Sequence, residues 1–116
     1  MSIKPRVQPT VDFYNSVYEL VALVPSGRIT TYGAIARALG SGKSSRLVGL
    51  AMNHSHELRP DLPAHRVVNR EGLLTGKHHF TGAFTMEQLL NQEGVEVFDN
   101  QVANFDLKYW NPLVDL

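Results

Sequence analysis

The run Pro63-Ala64-His65-Arg66-Val67-Val68 has the look of an active-site segment that lacks its reacting group. A proline-pinned turn delivers a small residue, then a histidine and an arginine, into a short β-branched run. An imidazole placed next to a nucleophile activates it as a general base. Here the side chain before His65 is the methyl group of Ala64, which can neither attack nor be deprotonated. The 116-residue chain contains no cysteine, which excludes disulfides, thiolate metal sites and a cysteine nucleophile. Its five histidines, His54, His56, His65, His78 and His79, offer an alternative chemistry, that of a small metal-dependent hydrolase. Metal ligands must converge, however, and His54 and His56 leave a helix end in different directions. No metal and no other cofactor is expected.

Composition narrows the classes further. Hydrophobic content of 43% and charged content of 19% are those of an ordinary globular protein, and the length suits one domain over residues 1–116 with a single modest core. No apolar run comes near the roughly 20 residues of a membrane span. The opening MSIKPRVQPT lacks the apolar centre of a secretory signal, so a cytoplasmic address is expected. Net charge is zero but unevenly distributed. Residues 28–77 hold eight basic residues (Arg28, Arg37, Lys43, Arg46, Arg59, Arg66, Arg70, Lys77) against Glu57, Asp61 and Glu71, a net of +5 that leaves −5 for the flanks. A polyanion would be steered to one face of a neutral molecule.

The elements that must position these residues are short. Val11, Tyr14, Val17, Tyr18 and Val21 recur at helical spacing after Thr10, a candidate N-cap, and the pattern stops at Pro25-Ser26-Gly27. Arg28-Ile29-Thr30 is β-prone. Thr31 is placed to cap a helix containing Ile35, Ala36 and Leu39 that ends at Gly40. After a turn at Ser41–Lys43, Ser44 opens a second helix whose inner face is expected to be Leu47, Leu50, Ala51 and His54. Two short helices joined by a glycine-bearing turn form a helix-turn-helix candidate. A polar loop is expected over Asn53–Pro63, a strand at HRVV, and a second loop from Gly72 to His79. Thr85 and Gln88 form a capping box, with Phe84 positioned to staple onto Leu89, for a helix that stops before Gly94. The tail from Val95 to Leu116 reads as packing structure. The fold class is mainly α: a winged-helix-like helix-turn-helix domain with a very small β-sheet.

The second helix of the pair is expected to expose Ser45, Gly49 and Met52, a narrow face of small residues with Arg46 at its edge. The major groove of B-DNA, about 12 Å wide, takes a helix with full side chains, whereas the minor groove is about 6 Å wide. A slim face suits the tighter groove. A sequence-reading regulator in the major groove is the competing possibility, but these three side chains offer little base readout.

In combination, TTYGAIARALGS (30–41), SSRLVGLAMNH (44–54), LPAHRVVNREG (62–72) and NQEGVEV (91–97) resemble the DNA-binding domain of O6-alkylguanine-DNA alkyltransferases over about residues 11–98. In those enzymes the position of Ala64 is the alkyl-accepting cysteine. The substitution makes the chain most similar to their non-catalytic branch, the alkyltransferase-like proteins. The resemblance implies that His65 and Glu93 are remnants of a base and its orienting carboxylate. It also implies that Tyr32 presses on the phosphate beside a lesion to rotate the nucleotide outward, and that Arg46 enters the minor groove to fill the vacated stack. Ser41, Ser45, Gly49 and Arg70 match DNA-binding positions. Met52, Ala64, Val67 and the loop Leu74, Thr75, Gly76, Lys77 and His78 match the lesion pocket. The GKHHF run in that loop departs from the family pattern, and alanine at position 64, where many relatives in the branch carry tryptophan, is expected to leave extra space for bulky alkyl groups.

The implied function is binding of O6-alkylguanine in double-stranded DNA by a monomer. The nucleotide is flipped without alkyl removal, and the complex is flagged to nucleotide excision repair proteins. No membrane partner is expected. The acidic residues Glu87, Glu96 and Asp99 would repel DNA and so are candidates for a surface that faces a protein.

Overall fold

The computed structural model describes residues 9–40 and 45–116, the side chains of Pro9 and Thr10 excepted. The first helix, α1, spans Pro9–Val21. It starts one residue before the expected cap, so Thr10 lies inside its first turn; proline is well suited to the first helical position because it has no N–H to leave unpaired. Val17, Tyr18 and Val21 are buried, whereas Val11, at the same spacing, is half exposed. The Tyr18 hydroxyl donates to the Ala51 carbonyl at 2.6 Å, tying α1 to a helix more than thirty residues away. Gly27, at φ +85°, turns the chain back; a Cβ there would also meet the Glu93 carbonyl oxygen at 3.2 Å.

A two-residue strand, β1 (Thr30–Thr31), leads directly into α2 (Tyr32–Ala38). The cap is the expected one, with Thr31 Oγ1 accepting the Ala34 N–H at 3.0 Å, and the helix closes at Gly40 with φ +62°. The third helix, α3 (Ser45–Leu58), packs against both α1 and α2. The turn at Ser41–Lys43 and the helix opener Ser44 lie outside the described residues.

Two expectations for α3 are corrected. Its buried stripe is Val48, Ala51, Met52 and Ser55, while Leu50 and His54 are exposed. Both candidate stripes have helical spacing and share Ala51, so the pattern alone permits either. The neighbours decide between them, because the side of α3 that meets α1 and α2 carries Val48 and Met52. Met52 is therefore core rather than part of an exposed face. Ser55 is tolerated inside because its Oγ donates to the Met52 carbonyl at 2.6 Å. The helix also runs to Leu58, so residues 53–58 are helical rather than loop, with Asn53, His54 and Glu57 exposed on its outer face.

Only the second half of HRVV is a strand. Ala64–Arg66 form a single 3-10 turn, and Val67–Val68, β2, pair in parallel with β1. Because side chains alternate along a strand, Val67 packs into one cluster with Val17, Ile35, Val48 and Met52, and Val68 into another with Ile29, Leu74, Met86 and Leu90. The stretch PAHRVV thus runs along the seam between two hydrophobic clusters.

Helix α4 (Met86–Gln92) has the expected capping box, Thr85 with Gln88, and ends ahead of Gly94 at φ +84°. The chain then forms a hairpin, β3 (Val97–Phe98) with β4 (Gln101–Val102), turning through Asp99 and Asn100 at φ 51° and 65°. Two one-turn helices follow, α5 (Phe105–Lys108) and α6 (Pro112–Asp115). The tail is packing structure as expected: Trp110 is buried, Ile29 bridges to Tyr109, and α6 rests on α2. Over the described residues the architecture is mainly helical, with two two-stranded ladders. Among the described residues no helix is long and apolar enough to cross a membrane.

Candidate nucleic-acid interface

Beside Ala64 a histidine, an arginine and a carboxylate are brought together. The 3-10 turn places His65 so that Nε2 lies 2.9 Å from Glu93 Oε2, at the C-terminal end of α4. Arg66 adds a two-pronged contact to the same carboxylate, Nε to Oε1 at 3.0 Å and Nη2 to Oε2 at 2.6 Å, and its Nη1 donates to the Val24 carbonyl at 2.8 Å. The Gly27 N–H donates to Oε1 at 3.2 Å. Burial alone would raise the Glu93 pKa, but the hydrogen bonds from Arg66, His65 and Gly27 outweigh it and hold the carboxyl at about 2. Arg66 is a functional-looking residue whose place sequence reasoning missed. It is the clamp that holds Glu93, and its position directly after His65 was the available signal.

On the other side of the same seam lies the surface of the helix pair. Tyr32 is the first residue of α2, half-buried, and its hydroxyl lies beside Gly76, where a Cβ would approach it to 3.3 Å. Burial raises its pKa, partly offset by a hydrogen bond with the Thr75 side chain. Tyr32 shares an open cleft of about 400 Å³ with Ser45, Arg46, Gly49, Leu50, Asn53, Thr75 and Gly76. Arg46 is exposed in the first turn of α3. Gly49 has nothing within 4 Å of where a Cβ would stand, so a ligand's backbone can approach α3 closely there. Arg70 is exposed and lines a neighbouring cleft with Tyr32 and Ser45. Ser41 lies outside the described residues.

Of the residues named for the lesion pocket, some lie together and some lie apart. Met52, Ala64, Val67 and Gly76 line one cavity together with Tyr32, Asn53, His56, His79, Phe80 and Met86. Leu74 is in the second hydrophobic cluster instead, because it follows the bridge that ties Leu73 to Gln101. Thr75 faces the Arg46 cleft, and Lys77 and His78 are exposed on a 3-10 turn (Lys77–His79), outside the cavity wall. Ala64 borders two spaces of very different size: the cavity it shares with Met52 measures about 10 Å³, room for about one water molecule. A cleft of about 370 Å³ lies behind it, and His56, Ala64, His79 and Phe80 line both spaces and so form the partition. His56 stacks on His79 with ring centroids 5.5 Å apart and meets Phe80 edge-on at 4.7 Å. Burial, with His79 nearby, lowers the His56 pKa, favouring the neutral imidazole. Nothing in the sequence pattern signalled this partition except the unusual GKHHF run. The histidines do not gather for a metal: among the described residues no three His, Asp or Glu side chains converge on one point.

Comparison with known proteins places this geometry. The DNA-binding domain of 6-O-methylguanine DNA methyltransferase matches residues 12–95. Alkyltransferase-like protein 1 of Schizosaccharomyces pombe is 34% identical over 105 residues, 87% of this chain and 96% of the relative. The DNA base-flipping protein of Escherichia coli K12 is 36% identical over 108 residues, 91% of this chain and 80% of the relative. The crystal structure of S. pombe Atl1 in complex with damaged DNA containing O6-carboxymethylguanine matches with a TM-score of 0.72 at 32% identity, covering 85% of this chain and 94% of that one. Of the cysteine methyltransferases it also matches, the chain spans about half the length. The chain therefore belongs to the family of the 6-O-methylguanine DNA methyltransferase DNA-binding domain, in its alkyltransferase-like branch.

Proposed function

We propose that the protein binds duplex DNA containing an O6-alkylguanine, extrudes the damaged nucleotide through the minor groove and leaves the alkyl group in place. The observation that carries this reading is the 2.9 Å contact between His65 and Glu93 directly beside Ala64, the position that the resemblance assigns to the alkyl-accepting cysteine. O6 alkylation removes the N1 proton of guanine and weakens pairing with cytosine, so the damaged nucleotide costs less to extrude than a normal one. Tyr32 and Arg46 share one cleft, which suits a tyrosine that pushes the backbone and a guanidinium that stacks in the gap while hydrogen-bonding the orphaned cytosine. The roughly 10 Å³ cavity must open for a guanine to enter. Movement of the His56, His79 and Phe80 rings would join it to the cleft behind, giving substituents longer than methyl somewhere to extend.

Binding without repair is useful only if another machine acts on the complex. We assign that role to nucleotide excision repair, with a monomer presenting the exposed Glu87, Glu96 and Asp99 to a partner protein. The test uses two duplexes that differ only in one O6-methylguanine. Tighter binding of the damaged duplex is expected, and equal affinities would remove the proposal. Arg46→Ala should weaken lesion binding by about 1–3 kcal/mol, the scale of one strong base contact, with thermal stability unchanged because the side chain is exposed. Tyr32→Ala should abolish the signal of a fluorescent base analogue at the lesion; unchanged flipping would rule out the tyrosine's role.

A further inference from the structure

We infer that the C-terminal segment, beyond the stretch matched to the family at residues 12–95, completes a cleft that holds a DNA phosphodiester next to the flipped nucleotide. Arg37 and Arg70 would grip the phosphate, and Phe105 and Tyr109 would pack against the adjoining sugar. This rests on the proposed DNA-binding function and extends it to residues outside the family's matched domain.

The cleft, about 620 Å³, is bounded on the helix-pair side by Tyr32, Arg37, Ser45 and Arg70 and on the tail side by Phe105 and Tyr109. Among the described residues no carboxylate lines it. Among the described residues neither Arg37 nor Arg70 is ion-paired. Glu71, which follows Arg70, and Asp106, which follows Phe105, are exposed and outside its lining. Two unpaired guanidiniums facing one space without a counter-charge favour a doubly hydrogen-bonded oxyanion.

Each wall is built. A Cβ at Gly33 would come within 3.3 Å of Arg37 Nη1, so the glycine lets the guanidinium fold back along the start of α2. Arg70 is carried on a tight turn held by Asn69 Oδ1, which accepts the N–H groups of Glu71 and Leu73 at 2.9 and 2.8 Å. The tail is tied to the strand region: Ile29 N–H donates to the Lys108 carbonyl at 2.9 Å, and Trp110 N–H donates to the Ile29 carbonyl at 2.7 Å. Arg28 adds bonds to the carbonyls of Lys108 at 3.0 Å and Tyr109 at 2.6 Å. The Phe105 and Tyr109 rings stack at 5.3 Å and 19°, presenting a rigid apolar surface opposite the arginines. Tyr32 and Ser45 belong both to this cleft and to the one containing Arg46. A backbone passing Tyr32 would run from one into the other, which selects a nucleic-acid strand over a small free anion.

The test measures full-length Arg37→Gln binding to the damaged duplex and to its undamaged twin across a salt series. The slope of log K against log salt should become shallower by about 0.9, the loss of one phosphate contact on duplex DNA. Both duplexes should weaken equally, leaving the lesion preference intact, and Arg37→Lys should recover most of the slope. In the wild-type protein the amide resonances of Phe105 and Tyr109 should shift when undamaged duplex is added. An unchanged slope, or unmoved resonances at these two residues, overturns the inference even where the wild type prefers the lesion. A wild type with no lesion preference strikes at the proposed function instead, and the slope on undamaged DNA still decides the cleft.

Discussion

Ala64→Cys is expected to turn a binder into a slow, single-turnover alkyl acceptor. Ala64 is 8% exposed, on the partition between the small cavity and the larger cleft, and His65 is oriented beside it by the 2.9 Å contact with Glu93. With Nε2 engaged by the carboxylate, the other ring nitrogen is available to take the thiol proton. The thiolate would attack the alkyl carbon, a carbon–sulfur bond would form as the carbon–O6 bond breaks, and guanine would leave with its N1 reprotonated. The rate should be low, because the cavity at rest is too small for a base and a displacement of about 1 Å can cost on the order of 10²-fold. Mass spectrometry should find a gain of one alkyl group on the variant over hours and none on the wild type. A wild-type protein that stripped the alkyl group from DNA would overturn the binding-only reading. A silent variant that still bound the lesion would show that the pocket has drifted from catalytic geometry.

Glu93→Gln should produce the largest loss of stability of any single change at the site. One carboxylate receives contacts from Arg66, His65 and Gly27, and through Arg66 Nη1 it is linked to Val24 in the turn that follows α1. The side chains of His65, Arg66 and Glu93 are only 12%, 16% and 15% exposed. Glutamine keeps the shape but leaves the guanidinium without a counter-charge, at a cost of about 3 kcal/mol. The pH dependence has a defined sign. The folded pKa of about 2 lies below the ordinary 4.5, so the unfolded chain binds the extra proton first on acidification. The stabilisation is complete above about pH 4.5 and is lost progressively as pH falls toward 2. Denaturant unfolding of both proteins over that range should show the difference between them shrinking as pH drops. A constant difference, or a variant as stable as the wild type, would mean the carboxylate is not the keystone of this seam.

Local chemistry was legible wherever a side chain acts on its own backbone. Thr31 caps α2, Thr85 and Gln88 close their box, and the turns at Gly27, Gly40 and Gly94 need positive φ; each is decided within a few residues. The inner face of α3 was not, because two stripes of equal periodicity overlap and only contact with α1 and α2 chooses between them. The loop after Leu73 failed for a related reason. A loop has no periodicity, so the sequence offered no sign that Leu74 would turn into the core while His79 and Phe80 came round to the cavity.

By itself the sequence determined the helix-turn-helix class, the alanine at position 64 and the residue types at Tyr32, Arg46, His65 and Glu93, since these depend on identity and short spacing. Tertiary structure alone decided that Arg66 clamps Glu93 across 27 residues, that a histidine pair and a phenylalanine stand between the two spaces at Ala64, and that the tail lines a cleft with Arg37 and Arg70. Contacts between segments far apart in the chain are selected by which surfaces can be buried together, and burial is a property of the packed molecule that no local window of sequence contains.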